Sequence, residues 1–539
     1  MRVAVTSMVS KRLGALPVAA AFLRRLDVAG IVDGLCPVRD VADLTHGQVI
    51  EALVANRLSA PAPLVRIADW ARVWAVEEVL GVDARLLNDD RCGRALDALA
   101  PVAEQVAGAV GAAAIAAFGI DVARLQWDMT SISLHGAYDE DGQDPAYPQV
   151  RFGHPKDRRT DLKQIQAGLG VSPDGAVPVF ARAYSGGAGE VAQVVDAIQA
   201  MQKLASARRL LMVGDSKLIS YGNVRALEEA GVEFIAPLPA ARLSEAEAAG
   251  LDLDAARVVD YVPVRLAERP TAPRETYRVL EDTYTLTGPR KTDPPVTMRR
   301  ILVHSTGNAE GQAQARQKRL AKAREELEKV RTGAGGRYYK TGEKIAARVG
   351  VIAEKRRVRE VLRYTVTAGP DGKPVLDWHF DQQALETKAR AEGWYALVSN
   401  QDPAAADEAA TLIAYKGQAQ VERRYADYKG PLAVAPVFLE TNRRITALLH
   451  VIMLALLVYC LIERQVRREL VNQGAADGKM AGLYPDNRRL RPTARMILYH
   501  LGELNLTAGH ATDPPQVSIT RGIQLHLLDL LGIDLTNTG

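Results

Sequence analysis

The stretch at residues 124–134 reads RLQWDMTSISL, a run rich in strand-forming residues in which apolar and polar side chains alternate. This pattern predicts a strand, and Asp128 stands inside it although aspartate disfavours strands and a lone buried carboxylate is costly. Two further apolar stretches, Leu162–Val171 and Val177–Tyr184, are joined by the turn sequence SPDG at 172–175. They predict a hairpin, so this part of the chain begins a β-meander.

Helix and strand patterns alternate after the hairpin. Residues 190–205 predict a helix, and RRLLMVGDS at 208–216 is typical of a short buried strand that ends near Asp215. A helix at Val224–Ala230 and another buried strand at Glu233–Leu238 follow. Three meander strands followed by helix, strand, helix and strand predict a mixed α/β sheet with helices packed on it. An aspartate at the carboxyl end of a buried strand in such a sheet lies where ligand and metal sites form.

The regions on both sides of this sheet follow other patterns. The first 120 or so residues are helical in character, and a Thr cap signal precedes the apolar helical spacing of 44–58. Strand-like runs around a basic helix at Gln312–Arg331 predict a β-rich insertion, and an apolar helix runs from Asn442 to about Leu470. The expected regions are 1–120 (helical), 121–239 and 403–475 (two parts of one core), 240–402 (the insertion) and 476–539 (helical).

The charge of the chain is almost balanced overall but uneven along its length. The 539 residues carry a formal net charge of +4, whereas Gly311–Glu360 holds 15 Lys and Arg against 6 Asp and Glu. Such a basic block favours a polyanion such as nucleic acid as a partner, and the alternative is a solvated helix face. The 3 cysteines are far apart and form no CxxC, which fits a reducing cytoplasm rather than a zinc ribbon or a disulfide framework.

The segment ITALLHVIMLALLVYCLI at 445–462 is long and apolar enough to suggest a membrane helix. It contains His450 and is the only such segment in the sequence, so we favour a fully buried core helix over a membrane span. The apolar stretch near the N-terminus is too short for a signal peptide, and Pro17 interrupts it. We therefore expect a cytoplasmic protein with no membrane partner.

A polar stretch stands shortly before that apolar helix. Residues 415–429 read YKGQAQVERRYADYK, and on a single helix Tyr415, Gln418, Glu422 and Lys429 would share one face. An ordinary amphipathic helix would carry Leu or Val at those positions. This face therefore indicates a role other than core packing.

Three carboxylates, those of Asp128, Asp215 and Glu422, are the candidate ligands of a metal site. Carboxylate oxygens without a His or Cys cluster suit Mg²⁺ or Mn²⁺ rather than zinc. For either aspartate alone, a turn or cap role is an equal alternative. The presence of Glu422 on an unusual polar face favours the metal interpretation.

The order Asp128, Asp215, Glu422 resembles the DDE triad of bacterial insertion-sequence transposases, which have an RNase H-like catalytic core. The Glu422 stretch is similar to the signature Tyr-x2-Arg-x3-Glu-x6-Lys of one branch, with Gln418 where that family most often has Arg. Two further blocks resemble recurrent blocks of the family: GHPKDRRTDLKQ at 153–164 and LNDDRCGRALDAL at 87–99. The resemblance runs from about residue 45 to about 460, and the long gap before Glu422 matches the branch with a β-strand-rich insertion.

The resemblance implies an α/β fold, an RNase H-like mixed sheet with helices, interrupted by a β-rich insertion and flanked by helical N- and C-terminal regions. It implies a DNA transposase that binds the terminal inverted repeats of its insertion sequence and catalyses metal-dependent phosphodiester cleavage and strand transfer. Two Mg²⁺ or Mn²⁺ ions would be held by Asp128, Asp215 and Glu422. The implied partner is double-stranded DNA, as transposon ends and as target, and synapsis of two ends implies a homodimer. The N-terminal region is a candidate for DNA-end binding and the C-terminal region for dimerisation.

Several polar residues are candidates for DNA contacts. Tyr415, Gln418 and Lys429 would handle the DNA end, and Gln418 could still donate from its amide where an Arg is expected. The basic loop, which we define as residues 153–164, offers candidates for phosphate contacts, namely His154, Lys156, Arg158, Arg159 and Lys163. The alternative for that loop is a solvated surface. Trp378 and Trp394 could stack on an unpaired base, and core packing is the alternative that we favour for both.

Two other functions stay open. Another RNase H-like nuclease, such as a resolvase or an RNase, is one of them, and the insertion and the Tyr-to-Lys signature argue against it. A catalytically silent, transposase-derived DNA-binding protein is the other, and the Gln418 departure keeps it open. A helical binding scaffold would explain neither of the strand-associated aspartates.

Overall fold

A computed structural model describes residues 10–205, 210–262, 274–507 and 516–535. The chain divides into two compact units. The first unit is formed by Met1–Glu233 and Lys416–Gly539, and the second by Phe234–Tyr415. The first unit is thus built from two separate stretches of chain. The insertion predicted at 240–402 lies within the bounds of the second unit.

The strands are numbered in chain order. They are β1 (Ser10–Arg12), β2 (Arg124–Leu134), β3 (Lys163–Val171), β4 (Pro178–Ser185), β5 (Leu211–Val213), β6 (Glu233–Pro237), β7 (Arg257–Val259), β8 (Tyr277–Leu286), β9 (Val296–Ser305), β10 (Leu362–Ala368), β11 (Pro374–Phe380), β12 (Trp394–Ser399), β13 (Asn505–Thr507) and β14 (Gln516–Ser518).

The strand predicted at 124–134 is present as β2 with the same bounds, and it lies inside the sheet of the first unit. One edge of β2 pairs antiparallel with β3 along its length, and β3 pairs antiparallel with β4, so the predicted hairpin and meander are present. The other edge of β2 pairs in parallel with β5, with Gln126 opposite Val213. The predicted fold class, a mixed α/β sheet with helices, is confirmed.

Helices of the first unit surround this sheet. Their bounds are Leu16–Arg25, Val28–Leu35, His46–Ser59, Ile67–Val73, Val76–Leu80, Asp89–Leu99, Ala103–Phe118, Glu190–Ala205, Tyr221–Glu229, Ala419–Lys429, Asn442–Asn472, Ala494–Leu501 and Gly522–Leu531. The expected Thr cap is present, because the Thr45 side chain accepts from Gln48 N and the Gln48 side chain accepts from Thr45 N in a capping box. The predicted helix at 190–205 has the same bounds in the structure.

We call Asn442–Asn472 the central helix. It packs on helices His46–Ser59, Asp89–Leu99 and Gly522–Leu531 and on β4, and the most apolar 18-residue window of this helix is fully buried in the structure. Within the described residues, Asp89–Phe118 also has the length and apolar composition of a membrane span. A buried core helix passes the same test, so the expectation of a core helix at 445–462 fits the burial of the central helix.

The second unit contains five strands of the 9-stranded sheet and a hydrophobic cluster. Its strands lie in the order β6, β12, β9, β8 and β7, and β10 pairs with β11 as a separate hairpin. Its helices include Glu245–Ala249, Thr306–Thr332, Gly342–Arg356, Gln382–Ala391 and Glu408–Lys416, the last of which ends at the first residue of the other unit. Leu327, Ile345 and Leu376 belong to one hydrophobic cluster, and Trp378 packs against this cluster. Trp394 is 8% exposed. Both tryptophans therefore have the core role that we favoured.

Two features differ from the expectations. The strand predicted at 208–216 is shorter, because β5 spans Leu211–Val213 and residues 208–209 lie outside the described residues. A small sheet of β1, β13 and β14 was not predicted. Each of its strands has three residues, too few for a period-2 pattern to stand out, and the antiparallel partner of β1 lies at the far end of the chain.

The central helix generates a stability prediction. Ile452→Ala removes a side chain with no solvent exposure, and we expect it to lower the free energy of unfolding by about 2–5 kcal/mol through lost burial and a residual cavity. Val471→Ala on the same helix, where the side chain is 49% exposed, is expected to change it by no more than about 0.5 kcal/mol. Urea denaturation followed by circular dichroism measures both, and equal losses would contradict the assigned burial of the helix.

Candidate active site

Asp128, inside β2, and Asp215, two residues beyond the end of β5, stand at matched positions of two neighbouring parallel strands. Gln126 of β2 is opposite Val213 of β5, and each aspartate stands two residues beyond its member of this pair. Asp215 keeps extended backbone angles, with φ −85° and ψ −178°. Because neighbouring strands in a sheet lie about 4.8 Å apart, this register brings the backbone of Asp128 and that of Asp215 to corresponding positions of adjacent chain segments. The sequence analysis placed Asp128 inside one strand and Asp215 at the end of another, but it could not give this register.

The carboxylate of Asp128 is held by a lysine of the basic loop. Asp128 is 8% exposed, and Lys156 Nζ lies 3.0 Å from both of its carboxylate oxygens. Lys156 N also donates to Ser131 Oγ at 3.0 Å, and Ser133 Oγ donates to Asp157 Oδ2 at 2.9 Å, so the loop is tied to β2. Asp215 caps a short 3₁₀ turn by accepting from Lys217 N at 2.9 Å. The structure therefore joins two sequence candidates, Asp128 and Lys156.

The prediction that four polar residues share one face of a single helix is wrong. One helix ends at Lys416, the next begins at Ala419, and Gln418 is its N-cap residue. Gly417 lies at the break, where a residue of low helix propensity lets the chain turn between the two helices. Tyr415 therefore belongs to the preceding helix. Glu422 and Lys429 remain together on Ala419–Lys429, which we call the Glu422 helix.

A buried tyrosine attaches the Glu422 helix to the strand that carries Asp128. Tyr425 is 6% exposed, and its hydroxyl donates to the backbone oxygen of Asp128 and is 3.2 Å from the backbone oxygen of Ala167 on β3. Glu422 is exposed and stands one turn before Tyr425, so their side chains are neighbours on the helix surface. The helix is thereby fixed beside the sheet, with Glu422 at the surface next to this anchor.

A buried ion-pair network, which sequence reasoning missed, holds the Glu422 helix from the other side. Arg424 is 1% exposed and donates to Glu463 Oε1 at 2.9 Å, to Asp427 Oδ2 at 2.9 Å and to the backbone oxygens of Gly175 and Ala176. Glu463, also 1% exposed, lies on the central helix. A glutamate directly after the apolar run of that helix, at its buried end, is the sequence signal that could have revealed the network.

Glu463 is shared by more than one arginine. Arg423 and Arg467 also pair with it, at 2.9 Å and 2.8 Å, and Ala494 N donates to it at 3.0 Å. Burial acts to raise the pKa of Glu463, but Arg424, Arg467 and Arg423 outweigh it and hold the pKa below the ordinary value for glutamate. Glu463 therefore stays ionised and bridges the Glu422 helix to the helix that begins at Ala494.

Lys429, at the end of the Glu422 helix, lies close to the basic loop. Loss of solvation lowers the pKa of its ammonium, the carboxylate of Asp157 opposes this effect, and the ammonium of Lys156 adds to it. Lys429 and Lys156 are therefore near neighbours. Two cations collected beside the Asp128 carboxylate offer the charge that a phosphate group requires.

The other basic-loop candidates separate into two groups. His154 and Arg158 are exposed and form no ion pair within the described part of the chain. Arg159 instead pairs with Asp161 at 2.7 Å, and Lys163 Nζ donates to the backbone oxygens of Ala137 and Tyr138. In this loop, Arg159 and Lys163 are thus engaged by other protein groups, whereas His154 and Arg158 are exposed to solvent.

The donor chemistry of the site fits a hard divalent cation in part. Asp128 and Asp215 supply carboxylate oxygens, the ligand type that Mg²⁺ and Mn²⁺ prefer. Among the described residues, however, no three His, Cys, Asp or Glu side chains are grouped closely enough to hold a metal ion. The two aspartates therefore form the core of the candidate site, and Glu422 is not gathered with them into one ligand group.

Comparisons with known proteins identify a family for only one part of the chain. Residues 8–105 match a family described as "Domain of unknown function (DUF4277)". No curated protein matches the chain. Among solved structures, the chain is similar to a cryo-EM structure of the piggyBac transposase synaptic complex with hairpin DNA, at 8% identity and a TM-score of 0.34, covering 92% of this chain and 82% of that one. A likeness this weak carries no argument, so the function is argued from the site.

The Glu463 network generates a pH prediction. The pKa of Glu463 is lower in the folded protein than in the unfolded chain, so its stabilising contribution is present above the unfolded pKa of about 4.3 and is lost as pH falls through the folded pKa. We expect Glu463→Gln to reduce the free energy of unfolding by about 3–5 kcal/mol at pH 7, because three arginines lose their shared carboxylate.

The difference between wild type and Glu463→Gln should shrink as pH falls below the unfolded pKa of about 4.3, because the unfolded chain then takes up a proton that the folded carboxylate still resists. Glu469→Gln, on the same helix and outside the network, is the matched control. Urea denaturation at a series of pH values measures these differences. A difference for Glu463→Gln that does not change with pH would show that the loss comes from packing rather than charge.

Proposed function

We propose that this protein is a DNA transposase that cuts the ends of its own insertion sequence and joins them to target DNA. The observation that carries this proposal is the matched position of Asp128, on β2, and Asp215, two residues beyond the end of the parallel strand β5. Lys156 of the basic loop pairs with the Asp128 carboxylate, and Tyr425 of the Glu422 helix donates to the Asp128 backbone oxygen. The resemblance of this residue order to the DDE transposases adds the reaction class.

The proposed metal ligands are Asp128 and Asp215, with Glu422 as the third ligand. Mg²⁺ or Mn²⁺ bound there would neutralise charge at the phosphorus and at the attacking and leaving oxygens of a phosphodiester. Tyr425 fixes the distance of the Glu422 helix from β2 by its hydrogen bond to Asp128. Arg424 fixes the same helix against the β3–β4 turn and the central helix.

The cations beside the pair have a proposed role in holding DNA. Lys156 and Lys429 would contact backbone phosphates next to the scissile bond, and His154 and Arg158 would extend this contact along the exposed loop. When a phosphate approaches, Lys156 can move from Asp128 to the phosphate without leaving the site, because its side chain is 49% exposed. Recognition of two ends by one enzyme assembly would require a homodimer, which forms part of this proposal, as does a cytoplasmic location.

The direct test uses the DNA that flanks the gene. Purified protein is incubated with a labelled fragment that spans each gene edge, with Mg²⁺, and the breaks are mapped. Breaks at a matched inverted repeat support the proposal. Specific binding without breaks would favour the catalytically silent descendant, and breaks at branched or RNA-containing sites would favour another RNase H-like nuclease.

Asp215→Asn is expected to abolish cleavage and to leave DNA binding largely intact, because it removes a ligand charge without removing a basic contact. Gel shifts and a nicking assay on the same fragments measure the two properties. Asp141→Asn, on an exposed 3₁₀ turn, is the matched control and should cleave like wild type. Equal loss of binding and cleavage in Asp215→Asn would refute the metal role.

Lys429→Ala is expected to weaken binding to DNA ends and to reduce the slope of log Kd against log salt concentration by about 0.9, the value for one phosphate contact. Fluorescence anisotropy at a series of KCl concentrations measures the slope. Lys203→Ala removes an exposed lysine on helix Glu190–Ala205 and should leave the slope unchanged. An unchanged slope in Lys429→Ala would count against a phosphate contact there.

A further inference from the structure

The second unit contains a cavity that takes no part in the candidate active site. Its volume is about 460 Å³, and its apolar wall includes Leu238, Leu243, Leu320, Val358 and Leu385. All residues that line it belong to the second unit. A concave site of this size with a few polar groups at its wall is typical of a ligand site.

The charged side chains around this cavity are of two kinds. Arg316 pairs with Glu392 at 2.8 Å, and Lys388 pairs with Glu245 and Glu360, so these two cations are neutralised by the protein. Their ion pairs account for the two carboxylates in the cavity wall, Glu245 and Glu392. The cavity wall therefore has no further acidic residue to neutralise another cation.

The cavity wall also contains the guanidiniums of Arg319 and Arg357, which no carboxylate of the wall neutralises. Both residues are exposed, and neither forms an ion pair within the part of the chain that the structure describes. They come from different elements, because Arg319 lies on helix Thr306–Thr332 and Arg357 follows helix Gly342–Arg356. Two independent elements thus direct unpaired cations to one concave wall.

Arg357 caps helix Gly342–Arg356 in the left-handed conformation that helix ends commonly use and that glycine most often supplies. Its φ is +53°, in the left-handed region that favours glycine. An arginine at this position is strained where a glycine would not be, and such strain is common where a side chain is needed for function.

We propose that Arg319 and Arg357 bind a backbone phosphate of DNA at this cavity. Arginine suits this ligand because its planar fork of donors matches phosphate oxygens. Lys322, three residues after Arg319 and therefore its neighbour on the helix surface, is exposed and forms no ion pair within the described ranges, so the positive surface continues beyond the two arginines. A continuous surface favours a polyanion over a free phosphate ion. The inference rests on the proposed function, because it assumes that the chain binds DNA.

The test measures the salt dependence of DNA binding with the full chain. The probe is a fluorescein-labelled double-stranded 20-mer, and anisotropy gives Kd at a series of KCl concentrations. The cavity variant is Arg319→Gln with Arg357→Gln. The matched control is Arg290→Gln with Lys291→Gln, which removes the same charge from exposed residues of the same unit outside the cavity wall.

We expect the cavity variant to lower the salt slope by about 1–2, as for one or two lost phosphate contacts, and the control variant to leave it unchanged. Equal falls in both variants, or no fall in the cavity variant, would overturn the assignment. In another outcome, inorganic phosphate raises the Tm of the wild type but not that of the cavity variant, while both show the same salt slope of DNA binding. That combined result would overturn the DNA assignment in favour of a free phosphate ion.

The two proposals fail in different ways. If the wild-type chain does not bind the DNA probe, both the proposed function and this inference are refuted. If the wild-type chain binds DNA and cuts the gene-flanking fragments, but the cavity variant has an unchanged salt slope of DNA binding, only the inference is refuted. Cleavage is measured with the Asp215 variant and the salt slope with the arginine variants, so each result is assigned to one proposal.

Discussion

The candidate site depends on the ion pairs that the buried carboxylate of Glu463 forms. It pairs with Arg424 of the Glu422 helix and Arg467 of its own helix, and it accepts from Ala494 N. A charge at 1% exposure is tolerated only when it is paired and hydrogen-bonded. The same Arg424 binds backbone oxygens of the β3–β4 turn. One ion-pair network therefore sets the position of the Glu422 helix relative to the sheet, because that helix cannot move without leaving charges unpaired.

The sheet supplies the other constraint. Asp128 and Asp215 are far apart in sequence, and the parallel pairing of β2 with β5 is what places them together. A parallel pair requires a crossover connection, which here contains the hairpin strands and helix Glu190–Ala205. Tyr425 then ties the sheet to the Glu422 helix through the backbone of Asp128. The carboxylate pair, the basic loop and the Glu422 helix thus meet because of backbone pairing and one buried hydroxyl.

Local patterns predicted much of this fold, and long-range contacts explain what they missed. The alternation of 124–134 and the helical spacing of 190–205 gave the bounds of β2 and of the following helix, because each pattern extends over many residues. The break at Gly417 was missed since one glycine in a helical pattern does not show whether the helix continues. The ion pair of Lys156 with Asp128 could not be predicted, because it depends on how the basic loop folds back on β2.

The central claim is that Asp128 and Asp215 form the core of a divalent-metal site, and Fe²⁺-directed cleavage of the polypeptide tests it most directly. Fe²⁺ replaces Mg²⁺ at such a site, and with ascorbate and peroxide it generates radicals that cut the backbone near the bound ion. The account predicts fragments whose ends lie close to Asp128 and Asp215, suppressed by excess Mg²⁺ and absent in Asp128→Asn. Fragments elsewhere in the chain, or the same fragments in wild type and Asp128→Asn, would contradict it.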